Sequence, residues 1–283
     1  MRQKYIISLF FMVFCIFLLY FSSQYRETNS LPWKPKKKSL SSSLPTIFVI
    51  TPTYTRLVQK AELTRMSNTL RQVPALHWIV VEDSIKKTLL VKNFLKTCGI
   101  QYTHLNIMSP KGIRRARGTL QRNLGMTWLR ETFYPDEAPE GVVYFADDDN
   151  TYSLEIFEEM RYTKKVSAWP VAFAGELRYE SLKVDSEGKV QGFLVNHSLA
   201  RPFAIDMAGF AINVKLILDK PRAVFRLDVK PGYQETSLLQ DLVKVKELEP
   251  KAANCTKVLV WHTKTQIPNV KKDKNFTSLT VEV

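Results

Sequence analysis

Three consecutive carboxylates, Asp147, Asp148 and Asp149, follow directly on the apolar run GVVYFA at residues 141–146. Carboxylates this close repel one another and raise each other's pKa unless a cation is present. A hard divalent ion such as Mn2+ or Mg2+ suits oxygen ligands and can be shared with a diphosphate. An acidic turn capping the next helix is the competing reading. A second cluster is basic: Arg117 and Arg122 flank the start of a helical pattern, with Arg114 and Arg115 before them. Guanidinium groups grip phosphate in bidentate fashion, and a helix N-terminus adds a favourable dipole; a solvated basic face is the alternative. Glu235 lies at another helix start, after Pro231 and Gly232. It could serve as a dipole partner or as a general base aimed at a hydroxyl. His262 follows the apolar run VLVW at 258–261, which would carry it to a strand end or leave it a structural histidine.

The elements that must position these groups read as α/β. TIFVIT (46–51), WIVV (78–81), GVVYFA (141–146), VAFA (171–174) and FAINV (210–214) are strand-like runs. Residues 119–130 predict a helix, with Leu120, Leu124 and Trp128 on one face. Ser153 is a natural N-cap for a helix carrying Ile156, Phe157 and Met160, and 235–243 predicts another. Buried strands alternating with helices imply a mainly parallel sheet covered on both faces, with ligands beyond the carboxyl ends of its strands. Tyr54, Asp83 and the acidic triplet fall at such ends. There is no internal repeat and no glycine-rich phosphate loop.

The N-terminal region is of a different kind. Residues 1–4 are short and basic, and 5–21 form an uncharged, largely apolar run of 17 residues. The positions before Ser22 and Ser23 are too bulky for signal cleavage, so the run predicts an uncleaved signal-anchor with the rest of the chain luminal. Residues 22–45, rich in Ser, Pro and Lys, predict a stem that cannot fold alone, leaving 46–283 as the catalytic domain. The net charge is +14, of which +6 lies in the first 45 residues. That surplus favours anionic partners without choosing among them; a luminal chain argues against nucleic acid. Cys15, Cys98 and Cys255 show no metal or disulfide pattern. Asn196, Asn254 and Asn275 each begin a glycosylation sequon.

Together these segments resemble the β-1,3-glucuronyltransferase family. The matching strings are TPTY with Arg56, LVQKAEL, LHWIVVED, RGTLQRN, VVYFADDDNTYS, FEEMR, RPFAIDMAGFA, LILDKP, ETSLL, LEPKAANCT and VLVWHT. They run in order from about residue 45 to the C-terminus, and the long acidic string makes the match specific. The resemblance implies a GT-A nucleotide-sugar fold, a UDP-glucuronic acid donor, Mn2+, and transfer with inversion to the 3-hydroxyl of a galactose-terminated glycan acceptor. It also implies a Golgi type II membrane protein, of the kind that builds proteoglycan linkers, and a homodimer.

By motif position, Pro52, Thr53 and Tyr54 would hold uracil and ribose, with Tyr54 stacking on the base, and Asp83 would bind the uracil edge. Arg117 and Arg122 would serve the donor, as would Asp147 and Asp148, while Asp149 would ligate the metal. His262 would touch the diphosphate, Glu235 would be the base, and Glu180, Arg201 and Asp206 would meet the acceptor. Two departures stand out. Lys264 replaces the family's usual arginine, keeping charge and losing the bidentate fork. His197 stands where the family has a large aromatic over the acceptor sugar. A glycan-binding relative without turnover, or a transferase of another UDP-sugar, is the alternative reading.

Overall fold

The computed structural model describes residues 44–110, 118–196 and 201–270. The anchor, nearly all of the stem, Arg114, Arg115, Arg117, His197 and Asn275 lie outside the described residues. Among those described, no helix is long and apolar enough to cross a membrane.

Strand β1 (Thr46–Thr53) lies inside a seven-stranded sheet, third from one edge. β2 (Leu76–Glu82) and β3 (Tyr102–Asn106) lie to one side of it. β4 (Gly141–Phe145), β10 (Phe210–Asn213), β6 (Val166–Ala168) and β11 (Leu248–Pro250) lie to the other. The β1–β2, β2–β3, β1–β4 and β6–β11 pairs are parallel, and β10 runs antiparallel to both its neighbours. The mainly parallel sheet expected from the apolar runs is present. β2 and β4 are buried along their whole length, which is why they read as continuous apolar runs rather than as alternation. β1 outlasts the 46–51 run: the backbone N–H of Asp83 donates to the carbonyl of Thr53 at 2.7 Å, so pairing continues past Pro52.

Helices α1 (Gln59–Leu70), α2 (Leu89–Thr97), α3 (Thr119–Thr132) and α4 (Leu154–Arg161) connect or flank these strands. Ser153 caps α4 as its type predicts, accepting from Glu155 N at 3.3 Å. Short helices α5 (Val214–Asp219) and α6 (Gln234–Leu239) follow, the latter ending sooner than the predicted 243.

A second, five-stranded sheet takes up the ends of the 171–174 and 258–261 runs and is otherwise absent from the sequence pattern. Its order is β5 (Thr151–Tyr152), β12 (Val260–Trp261), β7 (Val171–Ala172), β8 (Tyr179–Val184), β9 (Val190–Leu194). The 171–174 run stops at Ala172 because Phe173 turns left-handed, with φ of 62°.

The two sheets share one apolar core, in which Tyr144 and Trp169 pack with ring centroids 5.6 Å apart. The hydroxyl of Tyr144 and the indole N–H of Trp169 both donate to the carbonyl of Ala208, at 2.9 and 3.0 Å. Buried polar tips must be bonded, and here that requirement fixes the segment carrying Asp206 against β4.

Candidate active site

The chain passes from β1 to β2 and β3 on one side of the sheet, then returns to β4 on the other. The crevice at the carboxyl ends of β1 and β4 is therefore a topological switch point, the usual ligand site of such sheets. Thr53 and Asp148 meet there, the hydroxyl donating to Oδ2 at 2.7 Å.

Each carboxylate of the triplet has its own surroundings. Asp147 pairs with Arg122 of α3. Asp148 is buried and accepts from Thr53 and from Arg56 Nη2, the latter at 2.6 Å; burial pushes its carboxyl up to about 6. The Asp149 carboxylate accepts no hydrogen bond from any described residue, while its carbonyl receives Thr263 Oγ1 at 2.7 Å and Arg65 at 3.2 Å. Burial, then Asp147, raises the pKa of Asp149. None of the three caps α4, so the acidic-turn reading falls. The solvated reading of Arg122 falls as well, because the side chain is buried against Asp147.

The N-terminus of α3 is built around Gly118, whose φ of 78° suits glycine. A Cβ there would come 2.6 Å from Arg122 Nη1 and 3.2 Å from Pro52 Cγ. On the same turn, Thr119 Oγ1 donates to Gln234 Oε1 at 3.0 Å, tying α3 to α6 and hence to Glu235. Glu235 is raised to about 7, first by burial and next, among neighbouring charges, by Asp206, with Arg122 and Arg201 opposing. His262 Nδ1 lies 3.3 Å from Asp206 Oδ2, an ion pair when the imidazole is protonated. Asp206, with help from Asp147 and Asp149, holds the imidazole above its ordinary range. Arg122, Asp206 and His262 thus link Glu235 electrically to the acidic triplet.

The other expected residues are distributed around this centre. Asp83 follows β2, and its Oδ1 accepts from Ser109 N at 2.7 Å. Tyr54 is 46% exposed just past β1. Arg201 donates to the carbonyl of Gly232 at 2.8 Å and leaves its Nε without a hydrogen-bond partner. Glu180 is buried on β8 beneath Gly175, where a Cβ would meet its Oε1 at 2.0 Å. Lys264 is exposed. Asn196 is exposed and donates to the carbonyl of Gly175 at 3.0 Å. Asn254 is also exposed, in a left-handed turn spanning Ala252–Cys255.

Among the described residues, no three His, Cys, Asp or Glu side chains converge as a metal site. The open carboxylate of Asp149 nevertheless fits an ion of the Mg2+ or Mn2+ kind, which is commonly held by one or two carboxylates and completed by substrate phosphates. Arg56, which the TPTY string carries with it but to which motif position gives no role, pairs with Asp148 and Glu62 at the same turn.

The model for Glycosyltransferase family 43 matches residues 66–266. The chain belongs to that family. Galactosylgalactosylxylosylprotein 3-beta-glucuronosyltransferase 1 of Canis lupus familiaris is 55% identical over 92% of this chain and 79% of its own length. The Homo sapiens protein of the same name is 54% identical over 92% and 80%. The Canis lupus familiaris transferase 2 is 52% identical over 85% and 74%. The two-sheet α/β architecture is accordingly the GT-A-like arrangement of a family 43 glycosyltransferase.

Proposed function

We propose that this chain transfers glucuronic acid from UDP-glucuronate to the 3-hydroxyl of a terminal galactose, with inversion, using Glu235 as general base. The carrying observation is the placement of Glu235 on α6, braced to α3 through Thr119 and facing the charge of Arg122, whose other partner is Asp147. The names and identities of the relatives support the donor and the linkage.

On this reading uracil stacks on Tyr54, with Pro52 and Thr53 beneath the nucleoside and Asp83 at the base edge. Asp147 and Asp148 receive ribose and donor-sugar hydroxyls. Asp149 would hold Mn2+, which when bound neutralises charge on the departing diphosphate. His262 adds a cation on the same side, favoured by Asp206. Glu180, Arg201 and Asp206 orient the acceptor, a role that motif position also gives to His197. Glu235 takes the proton from the attacking hydroxyl, which displaces UDP from the opposite face of the anomeric carbon. One displacement inverts the centre, so the α-linked donor gives a β-linked product. Lys264 offers the diphosphate a point charge rather than a fork.

A raised base has a pH signature. Only ionised Glu235 accepts a proton, so kcat should fall about tenfold per pH unit well below its pKa near 7. A pH–rate profile between 5 and 8 would show it, and a kcat flat down to pH 5 would refute the assignment. Gly118→Ala should push the Arg122 guanidinium off Asp147, since the clash is with the movable end of a side chain. Donor KM should rise about tenfold with a stability loss near ~1 kcal/mol; kinetics and a thermal melt check both.

The direct test incubates the chain, Mn2+ and a galactose-ended acceptor with labelled UDP-glucuronate, UDP-glucose, UDP-galactose or UDP-N-acetylglucosamine. Label should enter from UDP-glucuronate alone. The N-terminal apolar run and the sequons further support a membrane-anchored, luminal enzyme, while the Golgi location and the homodimer rest on the family resemblance; protease protection in sealed vesicles tests the topology.

A further inference from the structure

We propose that Arg56 is a positioning residue of the donor site: it locks the Tyr54 ring to the acidic turn, so that nucleoside platform and triplet move as one body. This rests on the assignment of Tyr54 as the base-stacking ring.

Four contacts converge on one guanidinium. Its Cζ lies 4.5 Å from the centroid of the Tyr54 ring, over one face, in cation–π geometry. Its Nη1 donates to the carbonyl of Tyr54 at 3.1 Å. Its Nη2 reaches Asp148 Oδ1 at 2.6 Å and also pairs with Glu62 of α1. The side chain is only 14% exposed, and those of Glu62 and Asp148 are 2% and 7% exposed. Charges this well removed from water stay only where each has its partner. The network closes through Gln59, whose Nε2 donates to Thr53 Oγ1 at 3.1 Å while Thr53 donates on to Asp148.

Tyr54 itself remains 46% exposed, so one ring face is held by Arg56 while the ring stays open to solvent. An exposed aromatic ring on a chain segment just past a strand has free rotamers to lose when a base stacks on it; a ring already clamped loses fewer. The clamp needs arginine. A lysine ammonium is a compact point charge without the planar fork, and it cannot satisfy a ring face, a carbonyl and two carboxylates together. Arg56 contributes nothing to the chemistry directly in this account, since its donors are directed to the protein.

The test uses uridine, which lacks phosphate and reports the platform without metal or sugar. Calorimetry on the full-length chain compares wild type, Arg56→Lys, Tyr54→Ala and the double variant, with thermal melts as folding controls. Arg56→Lys should weaken uridine binding about tenfold, Tyr54→Ala should weaken it at least as much, and the double variant should be no worse than Tyr54→Ala. With UDP-glucuronate, Arg56→Lys should raise donor KM more than it lowers kcat. If Arg56→Lys binds uridine as wild type while Tyr54→Ala does not, the inference is overturned. Effects that add in full in the double variant overturn it too, because Arg56 then acts independently of the ring. If Tyr54→Ala binds uridine normally, the base-stacking assignment itself fails and takes the inference with it. Should Arg56→Lys not fold, Glu62→Gln reads the same strut from its far end: weaker uridine binding with an ordinary melt is expected, and unchanged binding would contradict it.

Discussion

Glu235→Gln should lower kcat by about 10²-fold or more while UDP still binds as in wild type. The amide keeps the shape and can still accept a hydrogen bond from an acceptor hydroxyl, but it cannot take the proton. A hundredfold loss corresponds to about 2.7 kcal/mol of transition-state stabilisation. The structure gives a reason to expect at least that. Glu235 is held in a partly closed setting where burial and Asp206 lift it to about 7, placing its basicity close to working pH. The variant removes one negative charge between Asp206 and the arginines Arg122 and Arg201, so donor binding should survive. The acid limb of the pH profile should vanish from the residual activity. Unchanged turnover would place the base elsewhere.

Asp149→Ala should abolish Mn2+ stimulation and donor binding together. Asp147 is engaged with Arg122, and Asp148 with Thr53 and Arg56. Asp149 is the member of the triplet whose carboxylate no described residue claims, so a neighbour cannot replace it without breaking a buried pair. The backbone there is held independently, because Thr263 and Arg65 bond the Asp149 carbonyl rather than the side chain. The fold should therefore survive with a normal melt. Calorimetry with UDP, with and without Mn2+, should show binding weakened by about 10²-fold, and the cation should no longer help. Retained Mn2+ enhancement would count against the assignment.

The part of the candidate site proposed for the donor is local in the chain. The acidic triplet follows a strand that is apolar throughout, and Ser153 stops the turn at the right residue, so its position at a strand end could be argued from neighbours in sequence. The acceptor half is assembled from distance. Thr119 and Gln234 are 115 residues apart, and nothing in either helix pattern says that one hydroxyl joins them. The second sheet was legible only in part, through the 171–174 and 258–261 runs, for a plainer reason. Thr151–Tyr152, Val171–Ala172 and Val260–Trp261 are two-residue strands, too short to show alternation, and they exist only because each supplies a ladder for another. Arg56 hid behind its residue type. An arginine in a turn is ordinarily solvated, and only the buried carboxylates Glu62 and Asp148 reveal why this one is not.

With a cation at Asp149 and the base at Glu235, the proposed reaction addresses opposite faces of one anomeric carbon. The stereochemistry of the product reads this most directly. NMR of the product made from UDP-glucuronate, Mn2+ and a galactose-ended disaccharide should show a single new β-linked glucuronate on O3 of galactose. An α-linked product, or a covalent sugar–enzyme species trapped during turnover, would contradict a single displacement with Glu235 as base.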